Sequence, residues 1–197
     1  MKEIDIFDFD KTVIPFDSSS RFWVYCLIHN PWVVICLPYL LVMMIPFLLG
    51  KKDLSYAKKY VFCYIPLINL EKNVKAFWDK HEKEVFDWFR KENRERPAVV
   101  ISASPDFLLE DICKRLEVEK LICSRHNSKT GTIIGTNCKN EEKVRRYNQE
   151  IIGCKVINVS SDSLKSDRPI FSLGENCFHI LKSGERVPFK YSEMYKD

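Results

Sequence analysis

The chain has 197 residues, 46% of them hydrophobic and 29% charged, with 31 Lys and Arg against 27 Asp and Glu for a formal net charge of +4. That balance excludes a disordered chain and a polytopic membrane protein, and the small basic excess lacks the concentrated stripe nucleic acid requires, so no nucleic-acid partner is expected. Neither property is evenly spread: residues 22–49 hold 23 apolar residues in 28, and the segments 1–50, 51–97 and 98–197 carry −2, +4 and +2.

Residues 2–9 predict a buried strand running into a loop, with Ile4, Ile6, Phe7 and Phe9 as its apolar bulk. Within the apolar run, Trp32 to Leu49 is eighteen residues without a charge, interrupted by Pro38 and Pro46, and is near the length of a membrane span. Lys51, Lys52, Lys58 and Lys59 follow directly and suit an anionic membrane surface or a solvated helix face. In the charged helical region beyond, Val74, Phe77, Trp78, His81, Val85, Trp88 and Phe89 recur at three- and four-residue spacing. They read as core rather than as a partner surface, and Pro97 ends the region.

From there strand and helix alternate. The pattern predicts strand 98–102, helix 105–116 with Ser104 as N-cap and Pro105 at its first position, and strand 119–123. A hairpin around Ser128 to Gly131, helix 140–150, strand 155–160 and a final strand near 177–181 complete it. Such alternation argues for an α/β fold with a parallel sheet covered by helices. The strand at 2–9 has no partner in the helical middle and joins the later sheet. The expected organisation is therefore a discontinuous core, 1–16 and 97–197, with a helical insertion at 17–96 that carries the apolar segment 22–49. Eight cysteines without CxxC or metal-type spacing suggest a reducing cytosol, no disulfides and no structural zinc. The polar segment ahead of the apolar run, with Asp5, Asp8, Asp10, Lys11 and Asp17, argues against a signal peptide.

Asp8-Phe9-Asp10-Lys11-Thr12 carries the strongest chemical signal. Two carboxylates at i and i+2 past a buried strand need a cation or a proton to neutralise them, which points to a metal or an acid/base pair. The carboxyl ends of strands are also where open α/β sheets bind ligands. Ser102 ends a second apolar strand and offers a hydroxyl to a phosphate; Lys143, early in a helix, offers a fixed cation; Asp162 and Asp167 form a carboxylate pair just past a third strand.

In this order the four segments resemble the motifs of the haloacid dehalogenase (HAD) superfamily of phosphohydrolases. Asp8 to Thr12 matches the first (DxDxT), Ser102 the second, Lys143 the third, and Asp162 with Asp167 the fourth. Lys11 and Ser161 stand where that family often has Gly. The resemblance implies a Rossmann-like core with a parallel sheet and an inserted all-helical C1 cap that selects the substrate. It implies a Mg²⁺-dependent phosphomonoester hydrolase, with Asp8 as nucleophile forming an aspartyl-phosphate and Asp10 as acid and base. Ser102 and Lys143 would hold the phosphate; Asp8, the backbone carbonyl of Asp10 and Asp162 would hold Mg²⁺; Asp167 would support the metal site and Thr12 would orient Asp10.

A single membrane crossing by the apolar run would put Asp8 and Ser102 in opposite compartments, and the only returning candidate, Tyr60 to Leu70, has eleven residues and contains Pro66. Two arrangements remain: a re-entrant or interfacial hairpin folded near His29-Asn30-Pro31, or an apolar cap buried within the protein. The first gives a cytoplasmic protein, peripheral or re-entrant at the cytoplasmic face of the inner membrane. The cap is also similar to that of phosphatidylglycerophosphatase C-like HAD proteins, which makes a membrane phospholipid phosphate such as phosphatidylglycerophosphate the leading substrate. The phosphoserine phosphatase-like branch supplies the alternative, a small soluble phosphomonoester such as phosphoserine. A non-catalytic membrane-associated binding protein is a third reading, weakened by the presence of Asp8, Asp10, Ser102, Lys143 and Asp162 together.

Overall fold

The computed structural model describes residues 1–52, 56 and 60–195; Lys58 and Lys59 of the basic cluster lie outside the described residues. Six strands, β1 (Lys2–Phe7), β2 (Ala98–Pro105), β3 (Lys120–Ser124), β4 (Cys154–Ser161), β5 (Asn176–Ile180) and β6 (Arg186–Phe189), form one sheet in the order β3-β2-β1-β4-β5-β6. The first five run parallel and β6 antiparallel to β5. The first strand thus lies at the centre, with Ile6 opposite Val99 on one side and Val159 on the other.

Alternation within the central strands explains their unbroken apolar sequences. Ile4, Ile6, Val99 and Ile101 face one buried cluster, whereas Phe7, Ala98 and Val100 face another. A strand covered on both faces has no polar side to show. The strand order reverses direction around β1, and the carboxyl ends of β1, β2 and β4 open onto the same edge of the sheet, the place where α/β sheets bind ligands.

Helices α1 (Ser18–His29), α2 (Cys36–Leu48) and α3 (Leu70–His81) come from the segment between β1 and β2. Asp17 caps α1 by accepting from Ser20 N–H at 2.7 Å, and Asn69 caps α3 by accepting from Lys72 N–H at 3.0 Å. After α1 the chain turns at Asn30, whose side-chain amide donates to Asn73 Oδ1 at 2.8 Å in a buried pair. Residues 31–35 then form a 3₁₀ turn that leads into α2. Helix α3 buries Val74, Phe77, Trp78 and His81, and Trp78 Nε1 donates to Leu108 O at 2.7 Å. Helices α4 (Asp106–Arg115), α5 (Glu141–Glu150), α6 (Arg168–Phe171) and α7 (Tyr191–Met194) belong to the second half. The expected hairpin appears as a turn closed by pairing of His126 with Ile133.

Three expectations need correction. The helical periodicity through Val85, Trp88 and Phe89 does not continue a helix: α3 stops at His81, and 3₁₀ turns follow. The chain must return to the sheet here, and Phe86 N–H donates to Val13 O at 3.0 Å. Trp88 and Phe89 then pack on Phe7 with centroids 6.0 and 5.0 Å apart. Second, Ser104 does not cap α4; β2 runs on to Pro105, which occupies the N-cap without a side-chain hydrogen bond. Third, β5 is not the last strand. Short β6, with Pro188 on the sheet edge, carries too few residues to show an alternation. Of the two arrangements left open for the apolar run, burial within the protein is not the one seen. Only 11% of Pro31–Leu48 is buried, and by length and composition alone that stretch is sufficient to cross a membrane.

Candidate active site

Asp8 leaves the end of β1 and is held by its own backbone, whose N–H donates to Ser160 O at 3.0 Å across the β1–β4 junction. Lys143, in the first turn of α5 and buried, brings its Nζ to 2.8 Å from Asp8 Oδ1 and 2.8 Å from Asp167 Oδ1. Ser161 Oγ donates to the other Asp167 oxygen at 2.5 Å and accepts from Ser163 N–H. The hydroxyl at a position where glycine is common in the family therefore fixes Asp167, which in turn fixes the lysine.

Asp10 is held from a different side. Its Oδ1 accepts from Ser18 N–H at 2.7 Å, at the start of α1, and its Oδ2 accepts from the Ser104 hydroxyl at the end of β2. Ser104 Oγ also lies 3.1 Å from Ser19 Oγ and 3.4 Å from Ser18 Oγ. Ser102 is buried and its Oγ accepts from Ser104 N–H at 3.2 Å. Thr12 is hydrogen-bonded elsewhere than to Asp10. It binds the β4 loop instead, its hydroxyl accepting from Asp162 N–H at 2.9 Å with Oγ1 3.5 Å from Asp162 Oδ1. The threonine is thus a tie between the first and fourth motifs, which a position in sequence alone does not reveal.

Between Asp10 and Thr12 the chain reverses, and Lys11 takes φ 56° with its N–H donating to Phe16 O at 3.1 Å. A left-handed residue with a Cβ costs about 1–2 kcal/mol, which explains why glycine suits this turn. The lysine also places a cation that acts on Asp162.

Electrostatically the site is rich in negative charge. Burial pushes Asp8 up to about 7 against the pull of Lys143, with Asp167 and Asp10 adding to the rise. Burial, reinforced by Asp17, pushes Asp10 up to about 6 although Ser104 and Ser18 stabilise its anion. Burial and Asp167 raise Asp162 as well. Burial works against the Lys143 ammonium, but Asp8 and Asp167 outweigh it and hold the group above the ordinary lysine range. Among the described residues no three His, Cys, Asp or Glu side chains gather as a metal cluster. The Asp8 and Asp162 carboxylates and Asp10 nonetheless line one cavity, and their oxygens are donors of the kind that suits a hard divalent cation.

These groups open onto a cavity of about 710 Å³. Asp8, Asp10, Ser102, Lys143, Asp162 and Asp167, from opposite ends of the sequence, all line it. Trp23, Leu40, Met44, Val61 and Phe62 line it as well and give it an apolar wall. His126, Asn137 and Lys139, from the segment that includes the hairpin, also line it. The sequence does not point to Ser18, and it marks Ser104 only as a helix cap and Ser161 only as a replacement for glycine, although the runs Ser18-Ser19-Ser20 and Ser102-Ala103-Ser104 supply hydroxyls at the start of α1 and the end of β2.

A family model described as haloacid dehalogenase-like hydrolase matches residues 6–171. No curated protein matches the chain. Among solved structures, a protein of unknown function from Bordetella pertussis Tohama I is 17% identical, with 83% of this chain and 85% of that one covered at a TM-score of 0.63. A phosphoserine phosphohydrolase-like protein from Francisella tularensis subsp. tularensis SCHU S4 is 16% identical, with 92% and 88% covered at 0.58. A phospho-aspartyl intermediate analogue of phosphoserine phosphatase is 17% identical, with 90% and 86% covered at 0.51. At such identities the likeness is one of fold.

Proposed function

The chain belongs to the haloacid dehalogenase-like hydrolases, and from that premise we propose that it is a Mg²⁺-dependent phosphomonoester hydrolase acting on a membrane phospholipid phosphate such as phosphatidylglycerophosphate. One observation carries the lipid reading: a single cavity joins the Asp8–Lys143 pair to an apolar wall that includes α2, whose opposite side is exposed.

Lys143 holds Asp8 Oδ1 and leaves Oδ2 to attack phosphorus. The bond from phosphorus to the ester oxygen breaks as the Asp8–phosphorus bond forms, and Asp10 gives its proton to the departing alkoxide. A pKa near 6 suits that exchange, since the group must hold a proton in one step and accept one in the next. In the second step Asp10 takes a proton from water, the water oxygen attacks phosphorus, and Asp8 is released as a carboxylate. Lys143 and Ser102 line the cavity, and their ammonium and hydroxyl would meet the phosphoryl oxygens, where negative charge spreads in the transition state. Asp8, the Asp10 carbonyl and Asp162 would hold Mg²⁺, which supplies the positive charge that lets an anionic carboxylate approach an anionic phosphate. The phospho-aspartyl analogue of a protein of the same fold supports the covalent step. Asp167 acts through Lys143 and Ser161 rather than on the substrate.

On this reading the protein works from the cytoplasmic face of the inner membrane, with exposed Trp32, Ile35, Leu41, Val42 and Leu48 toward lipid and Lys51 and Lys52 toward anionic headgroups. A second reading, a soluble phosphomonoester such as phosphoserine, draws on the phosphoserine phosphohydrolase-like neighbour; it leaves the apolar wall and the exposed helix without a purpose. The deciding experiment measures phosphate release from phosphatidylglycerophosphate in detergent micelles and from phosphoserine, with and without Mg²⁺, for the wild type and Asp8→Asn. Metal-dependent release from the lipid, abolished in Asp8→Asn, is expected. Preference for phosphoserine refutes the lipid substrate, and inactivity on every phosphomonoester refutes the enzyme.

A further inference from the structure

Helix α2 is apolar on every side, a composition suited to a protein core or a lipid phase. Its side chains nevertheless divide into two stripes at three- and four-residue spacing. Leu37, Leu40, Met44 and Phe47 are half-buried, whereas Leu41, Val42, Ile45 and Leu48 are exposed. Leu40 and Met44, one helical turn apart, line the catalytic cavity. Trp23, Val61 and Phe62 line the same cavity. Trp23 donates its one N–H to Val61 O at 3.2 Å, so its indole adds no unsatisfied donor to the wall. Phe62 packs edge-on against Phe107 with centroids 5.4 Å apart, which fixes the ring, while the unbranched Met44 adapts to a chain of variable shape. A cavity of about 710 Å³ is in the range that encloses a ligand of drug size, with room beyond the phosphate seat.

We propose that Leu40 and Met44, with Trp23, Val61 and Phe62, form a slot for the hydrocarbon chain of the substrate, so that α2 is a partition with lipid on one side and the substrate's own chain on the other. The slot rests on the phospholipid reading and narrows it. The substrate is a phosphomonoester whose first chain methylenes leave the bilayer with the headgroup, and the inner stripe of α2 sets how many are accepted. Outer-stripe residues hold the protein at the membrane; inner-stripe residues select.

Chain length is the direct readout. Each methylene moved from water into an apolar site strengthens binding by about fourfold. The probes are n-alkyl phosphates from butyl to decyl, below their micelle-forming concentrations, with the full chain and Mg²⁺. In the wild type kcat/KM is expected to climb by up to about fourfold per methylene and then level off where the slot is full. In Leu40→Ser/Met44→Ser the climb flattens, and in Met44→Trp, which fills the slot, the plateau arrives at a shorter chain. Leu41→Ser/Leu48→Ser, on the outer stripe, keeps the climb and loses flotation with phosphatidylglycerol vesicles. A flat series in the wild type overturns the slot, and if phosphatidylglycerophosphate is still hydrolysed the lipid reading survives that result. A climb unaltered in both inner-stripe variants assigns the chain to another wall and overturns the proposal. Hydrolysis of phosphoserine alone overturns slot and lipid reading together.

Discussion

Replacing Ser104 by Ala removes the hydroxyl that donates to Asp10 Oδ2 and leaves Ser18, whose N–H donates to Oδ1 at 2.7 Å, to support the carboxylate. A hydrogen bond to a charged group contributes roughly 1.5–3 kcal/mol. Even the lower figure, lost from the ionised form alone, raises the Asp10 pKa by about 1, from its value near 6. The carboxylate also loses a fixed direction, so kcat/KM should fall by about 10- to 100-fold. Initial rates on phosphatidylglycerophosphate micelles from pH 5 to 9 test both effects: the limb that requires protonated Asp10 moves to higher pH in Ser104→Ala and returns toward the wild-type position in Ser104→Thr, which keeps the hydroxyl. A purely structural role lowers the rate without moving the limb. A superimposable profile with activity within about twofold of wild type refutes the assignment of Ser104 as the residue that positions Asp10.

Asp8 and Asp10 are raised above the carboxylate range of an unfolded chain, so between about pH 4 and 7 the folded protein binds more protons and its stability falls as pH rises through that window. The metal-free melting temperature should therefore drop from pH 5 to 7, and Mg²⁺, which favours the ionised forms, should raise it more at pH 8 than at pH 5; a metal-free curve that rises across the window contradicts the burial argument. Lys11→Gly relieves the left-handed backbone at φ 56° and should stabilise by about 1 kcal/mol in denaturant melts, against a lower activity from the lost cation. Gly131 has φ 73°, and a Cβ there would lie 2.0 Å from Phe62 O. Gly131→Ala should cost more than about 2 kcal/mol of stability by the same measurement, and a neutral result shows that the hairpin does not press on Phe62 as described.

The central strands were legible because they are buried on both faces: Val99, Val100 and Ile101 cannot be anything but interior, and the carboxylates beyond such strands can hardly be idle. The hydroxyl network was not, because serine is equally at home in a cap, a turn or a site; nothing local distinguishes Ser104 on Asp10 from Ser104 capping α4. Thr12 shows the same limit, since its partner Asp162 is 150 positions away. Helical spacing misled at Trp88 and Phe89 because aromatic residues in consecutive turns can meet one surface without a helix, here the face of Phe7. The apolar run declared its chemistry but not its sidedness, which depends on a cavity assembled from both halves of the chain.

The position of β1 at the middle of the sheet has a consequence for the order of assembly during synthesis. Its partners β2 and β4 begin at Ala98 and Cys154, so the innermost strand leaves the ribosome first and waits for both neighbours. At about 5–20 residues per second that wait is roughly seven to thirty seconds for β4. During it Ile4, Ile6 and Phe7 have no sheet to enter, and the apolar helix α2 is already out. Until β2 and β4 follow, the nascent chain exposes two apolar segments at once, a period in which self-association competes with folding.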